Sequence, residues 1–206
     1  MQKKYKRAIQ GKKILVTAGP TWVAIDRVRV MTNIFSGRTG CAIAEEAERR
    51  GAKVTLLFGP GRVALSRTFC RKVNVVRYRY FHELLDLMRK EISRRKYDIV
   101  IHSAAVSDYI PRTYVHQKIP SGKACVTVRL RPSVKIIKHI KTWDPRVFLV
   151  QFKLEVHKSA TSLIAIGYQS MQKNNADLHS RHLDHIPIRV VTAQVDNAGD
   201  GCHQER

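Results

Sequence analysis

Short runs of consecutive apolar residues recur along this chain, each separated from the next by a segment with helical spacing, and few folds accommodate that order. Lys13 to Thr17 (Lys-Ile-Leu-Val-Thr) is the first of them. It is apolar without alternation, the pattern of a strand covered on both faces in a parallel sheet, and Ala-Gly-Pro-Thr ends it. Residues 40–50 are Ala-rich with acidic residues early and arginines late, and Gly51 follows as a stop, so a helix is expected there. Lys53–Phe58 and Lys72–Tyr78 read as the next two strands. Phe81–Arg95 reads as a helix with Leu84, Leu85, Met88 and Ile92 on one face, and Tyr97–Ser103 as a fourth strand. Beyond Pro111 and Pro120 come an alternating strand at Cys125–Leu130, a short helix at Val134–Lys141, a strand at Val147–Phe152 and a last helix at Ala160–Lys173. This order implies the α/β class: a doubly wound, Rossmann-like, mainly parallel sheet with helices on both faces.

Composition narrows the class further. Of the 206 residues 44% are apolar and 26% charged, enough for one cored domain. No apolar run approaches the roughly 18 residues that a membrane span needs, so membrane, collagen-like and wholly disordered classes are excluded. The 38 Lys and Arg against 16 Asp and Glu leave a formal charge of +22, a field that draws nucleotides, phosphate esters or nucleic acid. Cys41, Cys70, Cys125 and Cys202 lie far apart without a C-x-x-C pair, which argues against a zinc site or a disulfide framework. The basic start is followed by Gln10, Gly11, Lys12 and Lys13 rather than an uninterrupted apolar stretch, so a cytoplasmic protein is expected. The expected organisation is a basic tail at 1–10, one α/β domain at 11–178 and a divergent, partly disordered tail at 179–206 with its last ten residues mobile. That tail shows no periodicity outside Ile188–Ala193.

Two segments carry chemistry. The link from the first strand to the first helix, Gly19 to Thr39, is about twenty residues long where a handful would serve, and long loops inside compact domains are usually functional. It ends in Asn33-Ile-Phe-Ser-Gly-Arg-Thr-Gly40, which sets small residues and backbone N–H groups at a helix N-terminus, where phosphate binds well. Ser36 and Thr39 add hydroxyls and Arg38 a charge, although the same residues also fit a plain helix cap with glycine turns. The second segment, Ser103-Ala-Ala-Val-Ser-Asp-Tyr109, stands at the carboxyl end of the fourth strand, where parallel sheets bind ligands. Asp108 suits a metal ion held with phosphates, or orientation of a substrate, or simply an N-cap. Neither a Walker sequence nor G-x-G-x-x-G is present. Tyr114 and Lys118 have the Y-x-x-x-K spacing of short-chain dehydrogenases, but Pro111 and Pro120 bracket them and disfavour the helix that pairing needs.

Thr17-Ala-Gly-Pro-Thr21, Ile25-Asp-Arg-Val-Arg-Val-Met-Thr-Asn33, Ser36-Gly-Arg-Thr-Gly40, Arg49-Arg-Gly-Ala-Lys-Val-Thr-Leu56, Ala104-Ala-Val-Ser-Asp-Tyr109, Lys118-Ile-Pro-Ser-Gly122 and Phe152-Lys-Leu-Glu155 occur in this order. Together they resemble the phosphopantothenate-cysteine ligases of coenzyme A biosynthesis, over about Lys12 to Leu178. Those enzymes activate 4'-phosphopantothenate with a nucleoside triphosphate, CTP or ATP, and Mg²⁺, and cysteine then displaces the nucleotide to form an amide. The resemblance implies that Asn33 contacts the activated acyl group, with Arg29 beside it. It implies that Ser36, Gly37 and Gly40 form the phosphate-contacting turn, with Arg38 where lysine is common and Phe35 replacing a serine, and that Gly19 belongs to the nucleotide site. Ala105 and Asp108 fall at the nucleotide and cation site, Phe152 beside the base, and Lys118 on a mobile loop needed with cysteine. Lysines that often follow Lys118 are Pro120 and Ser121 here.

The resemblance further implies a homodimer with Cys125–Leu130 at its contact. With no decarboxylase half before the motifs, a freestanding ligase domain without flavin is expected, working beside a separate flavin-dependent decarboxylase. After Leu178 the sequence departs from the family: a short apolar strand ending in Ala-Asn-Asp and a closing hairpin and helix are not recognisable. His179, His182 and His185 recur every three residues but lack carboxylate or cysteine partners for a metal. A different reading, nucleic-acid binding on a repurposed or inactive fold of this kind, rests on the excess charge and on Arg67–Arg79 and Arg89–Lys96, against which stand only 7% aromatics for base stacking.

Overall fold

The computed structural model describes residues 8–154, 160–183 and 186–192. In chain order the elements are β1 (Lys13–Ala18), β2 (Trp22–Ala24), β3 (Val30–Thr32), α1 (Arg38–Arg49), β4 (Lys53–Phe58), α2 (Arg67–Lys72), β5 (Asn74–Arg77), α3 (Phe81–Ser93), β6 (Ile99–His102), β7 (Tyr109–Pro111), β8 (Leu130–Pro132), α4 (Ile136–Trp143), β9 (Phe148–Leu154), α5 (Ala160–Asn174), β10 (Leu178–Leu183) and β11 (Ile186–Thr192).

The continuous apolar runs do what such runs dictate. From Ile14 onward β1 is fully buried, and its alternate side chains feed two cores. Leu15 joins Leu57, Val100 and Leu149 under α3, α4 and α5, where Leu84, Met88, Ile92, Ile136, Ile140 and Met171 cover them. Ile14, Val16 and Ala18 join Val54, Leu56 and Phe58 under the Ala44 and Ala47 face of α1. Each fully buried leucine contributes about 1.5–3 kcal/mol relative to exposure, and the sum of such terms on both faces holds the sheet.

The main sheet has the order β11-β10-β9-β6-β1-β4-β5, parallel except for the antiparallel β10–β11 pair. The chain builds from β1 through β4 to β5 on one side and then crosses to β6 and β9 on the other. The switch in direction falls between β1 and β6, and a crevice opens there beyond their carboxyl ends. Two small antiparallel pairs, β2–β3 and β7–β8, stand outside this sheet.

The structure corrects the sequence reading in four places. The strand expected at Cys125–Leu130 is absent: residues 125–129 have no regular structure, and only Leu130–Pro132 pairs, with Tyr109–Pro111. Its alternation is real, but Val126 and Val128 are exposed and no strand among the described residues lies beside them. Lys72 ends a helix rather than opening a strand, because the Ser66 side chain accepts the Phe69 N–H at 3.1 Å and caps α2. Helix α1 begins two residues early, at Arg38. Finally, the sheet runs past Leu178, since β10 pairs with β9 over Leu178–His182 and β11 pairs with β10. Strand pairing there is a backbone matter and needs no apolar pattern in the added segment. The basic tail up to residue 7, the side chains of His179, His182 and His185, and the last ten residues lie outside the described residues.

Candidate functional site

A cleft of about 620 Å³ lies at the carboxyl ends of β1, β6 and β9, between the start of α1 and the helices α4 and α5. One wall is the turn before α1. Gly37 sits at φ +83°, a left-handed conformation suited to glycine, and offers no side-chain cap to the helix. Ser36 Oγ accepts the Arg38 N–H at 3.3 Å. With no acidic residue in its first turn, α1 presents a positive N-terminus to the cleft. A Cβ at Gly40 would lie 2.5 Å from Ala18 Cβ, so glycine is what lets the helix start press against the end of β1.

The opposite wall is the segment after β6. Asn33 Nδ2 donates to the carbonyl of Ala105 at 3.1 Å and, more weakly, to that of Val106 at 3.4 Å, joining the loop before α1 to this wall. Beneath it the Thr21 hydroxyl accepts the Ser107 N–H at 2.9 Å and Ser133 donates to the Ser107 carbonyl at 2.6 Å, so buried polar groups hold the wall in place. Asp108 is at the mouth, 67% exposed at its side chain and paired with Lys135. Phe152, Ser170 and Lys173 complete the far side, where Asn174 Nδ2 donates to Gln151 Oε1 at 2.8 Å.

Of the residues singled out in sequence, Gly19, Asn33, Ser36, Gly37, Arg38, Gly40, Ala105, Asp108 and Phe152 line this cleft together. Arg29 and Lys118 do not line it. Both belong to an arm in which Asp26 is the knot: its carboxylate accepts the N–H groups of Val28, Arg29 and Ile119 at 2.9, 2.7 and 3.0 Å. The Arg29 guanidinium donates to the same carboxylate at 2.6 Å and to the Ile119 carbonyl at 3.1 Å. Burial pushes the Asp26 carboxyl up, but these donors outweigh it and hold it at about 2. Arg29 therefore positions the Lys118 segment, and Lys118 itself is exposed.

Sequence reasoning missed Lys135, Lys138, Lys173 and His102, all on the cleft lining. His102 carried a visible signal, a titratable residue closing an apolar strand (Ile-Val-Ile-His). The three lysines carried none beyond the general excess of charge. Among the described residues no three His, Cys, Asp or Glu side chains gather as a metal cage. A lone carboxylate at the mouth of an anion-receptive cleft still fits Mg²⁺, which takes one or two protein carboxylates and draws its other ligands from phosphate and water. Among the described residues no helix is long and apolar enough to cross a membrane.

The profile of the DNA/pantothenate metabolism flavoprotein C-terminal domain matches residues 9–181. The coenzyme A biosynthesis bifunctional protein of Thermococcus kodakarensis is 39% identical over 178 residues, covering 86% of this chain and 43% of that protein. The chain thus spans less than half the length of that curated relative. Among solved structures, the DNA/pantothenate metabolism flavoprotein of Streptococcus pneumoniae superposes with a TM-score of 0.77 at 28% identity, covering 88% of this chain and 93% of that one. The C-terminal domain of a coenzyme A biosynthesis bifunctional protein superposes with a TM-score of 0.73 at 30% identity, covering 93% and 90%.

Proposed function

Because the chain belongs to the family of the DNA/pantothenate metabolism flavoprotein C-terminal domain, we propose that it is a phosphopantothenate-cysteine ligase acting in coenzyme A biosynthesis. The observation that carries this reading is the cleft itself, in which the anion-receptive start of α1 faces Asn33 and Asp108 across the sheet's switch point.

A carboxylate is a poor acyl donor at neutral pH because oxide would have to leave. Its attack on the α-phosphorus of CTP or ATP expels pyrophosphate and makes a mixed anhydride, from which the amine of cysteine displaces the nucleotide. Ser36, the first-turn N–H groups of α1 and Arg38 hold the triphosphate and stabilise charge as pyrophosphate departs. Lys135 and Lys173 add positive charge on the other side. Asn33, fixed by its bonds to the β6 wall, orients the acyl group, and Ala105 and Phe152 enclose the nucleotide and keep water from the anhydride. Asp108 would hold Mg²⁺ after exchanging Lys135 for it, and a bound Mg²⁺ would neutralise phosphate charge. Lys118, carried on the arm, serves the cysteine-dependent half, and Arg29 positions it. The substrates are then 4'-phosphopantothenate, cysteine and a nucleoside triphosphate. The residues of this cleft call for no flavin, and we assign the cytoplasm as its site.

Tyr114, Val126, Val128 and Leu130 are exposed on the arm and suit contact with a second copy, which makes a homodimer part of the proposal. Nucleic-acid binding stays secondary: within Arg89–Lys96, Glu91 already pairs with both Arg94 and Lys96. Pyrophosphate release with 4'-phosphopantothenate, Mg²⁺ and either nucleotide tests the reading. Release should require phosphopantothenate, fall sharply in Asn33→Ala, and yield amide only with cysteine. No release from the folded protein with either nucleotide would refute it.

A further inference from the structure

Buried polar atoms in folded proteins are almost always partnered, so one without a partner, facing a cleft, calls for an explanation. His102 closes β6, is only 8% exposed, and lines the cleft. Its Nδ1 lies 3.0 Å from Thr17 Oγ1, whereas Nε2 has no hydrogen-bond partner among the described residues.

The tautomer follows from the network. Thr17 Oγ1 accepts the Ala104 N–H at 3.0 Å, and the acceptor within reach of its own proton is His102 Nδ1. Burial keeps the imidazole neutral by pulling it down to about 4. A neutral imidazole that accepts at Nδ1 carries its hydrogen on Nε2 and is a donor there.

Its place in the sheet says what that donor would meet. In register His102 stands between Thr17 of β1 and Gln151 of β9. Strand β1 leads to the anion-receptive turn before α1, and β9 continues to Phe152. A nucleotide stretched from that turn toward Phe152 crosses the sheet at His102, and the part of a nucleotide lying between phosphate chain and base is rich in oxygen acceptors.

We propose that His102 Nε2–H donates a hydrogen bond to an oxygen of the nucleotide between its phosphate chain and its base, and so fixes where the nucleotide crosses the sheet. This rests on the nucleotide-dependent ligase reading and adds a binding residue to it. A neutral donor suits the position, because it binds the nucleotide without adding to the attraction for pyrophosphate, which must leave.

The test is titration calorimetry with CTP and with ATP, each with Mg²⁺, on the unaltered protein, His102→Leu and His102→Gln, together with proton–nitrogen spectra of the histidine rings. Leucine fills the buried volume and removes the donor, so affinity should fall about tenfold. Glutamine, whose amide N–H reaches near the Nε2 position, should recover most of that loss. The spectra should place the His102 proton on Nε2 with and without nucleotide. Leucine and unaltered protein binding within twofold of each other, or a proton on Nδ1, would overturn the proposal. Absence of nucleotide binding by the unaltered protein would instead bring down the ligase reading, and this inference with it.

Discussion

The body of the sheet and the arm that carries Lys118 are held by different forces. In the body Leu15, Leu56, Leu57 and Leu149 are 0% exposed, and the cleft wall at Gly40 is set by contact with Ala18. In the arm nearly every residue from Arg112 to Pro132 is exposed, and the segment is held by the buried Asp26 carboxylate at Ile119, a Val115 N–H to Ile25 carbonyl bond at 3.2 Å and the short β7–β8 pair. Packing fixes a wall to within a few tenths of an ångström, whereas a charge knot can be undone by protons, salt or a competing anion. The proposed chemistry divides along the same line. Nucleotide activation needs a rigid, preorganised cleft, and the cysteine step needs a lysine that can arrive afterwards.

Gly40→Ala attacks the body and should have the largest effect on stability. Its Cβ would overlap Ala18 Cβ and the Thr17 carbonyl, so denaturant unfolding should show a loss of about 1–3 kcal/mol, and nucleotide binding should weaken with it. Unchanged stability would mean that the start of α1 is not set by packing. Asp26→Ala attacks the arm. Hydrogen exchange at the Ile119 amide should speed up roughly tenfold while amides of β1 stay protected. Acceleration spread evenly over both regions would erase the distinction.

Acid should produce a milder version of the same loosening. The Asp26 carboxyl is held below its unfolded value, so its contribution is fully present above about 4. It is lost as pH falls from there through about 2. Limited digestion with an acid protease should therefore cut within residues 112–129 before it cuts the body. First cuts in β4 or β6 would contradict this.

The contrast also explains what the sequence disclosed. Lys53–Phe58 was legible to the residue, because a strand buried on both faces reads as a nearly continuous apolar run. Asn33 to Gly40 was legible as a turn before a helix, and only the structure, by placing it on the cleft, separates it from a plain helix cap. Strand β10 was not, since its backbone pairing with β9 leaves no mark in the local apolar pattern of the sequence. Asp26 looked like one residue of a charged stretch, and its role appears only when Ile119, 93 positions away, reaches it. Lys135 beside Asp108 and Thr17 beside His102 are likewise contacts between segments far apart in sequence, invisible to local pattern. At Cys125–Leu130 the alternation was genuine, but among the described residues only Leu130 finds a strand partner.

The most direct test of the division between body and arm is a single turnover of Lys118→Ala with phosphopantothenate, nucleotide, Mg²⁺ and cysteine, following pyrophosphate and amide separately. The account predicts pyrophosphate release at close to the unaltered rate and amide formation slowed by about 100-fold or more, since a positioned charge in a transition state contributes effects of that size. Equal loss of both products would place Lys118 in the nucleotide step, and retention of both would remove it from the chemistry.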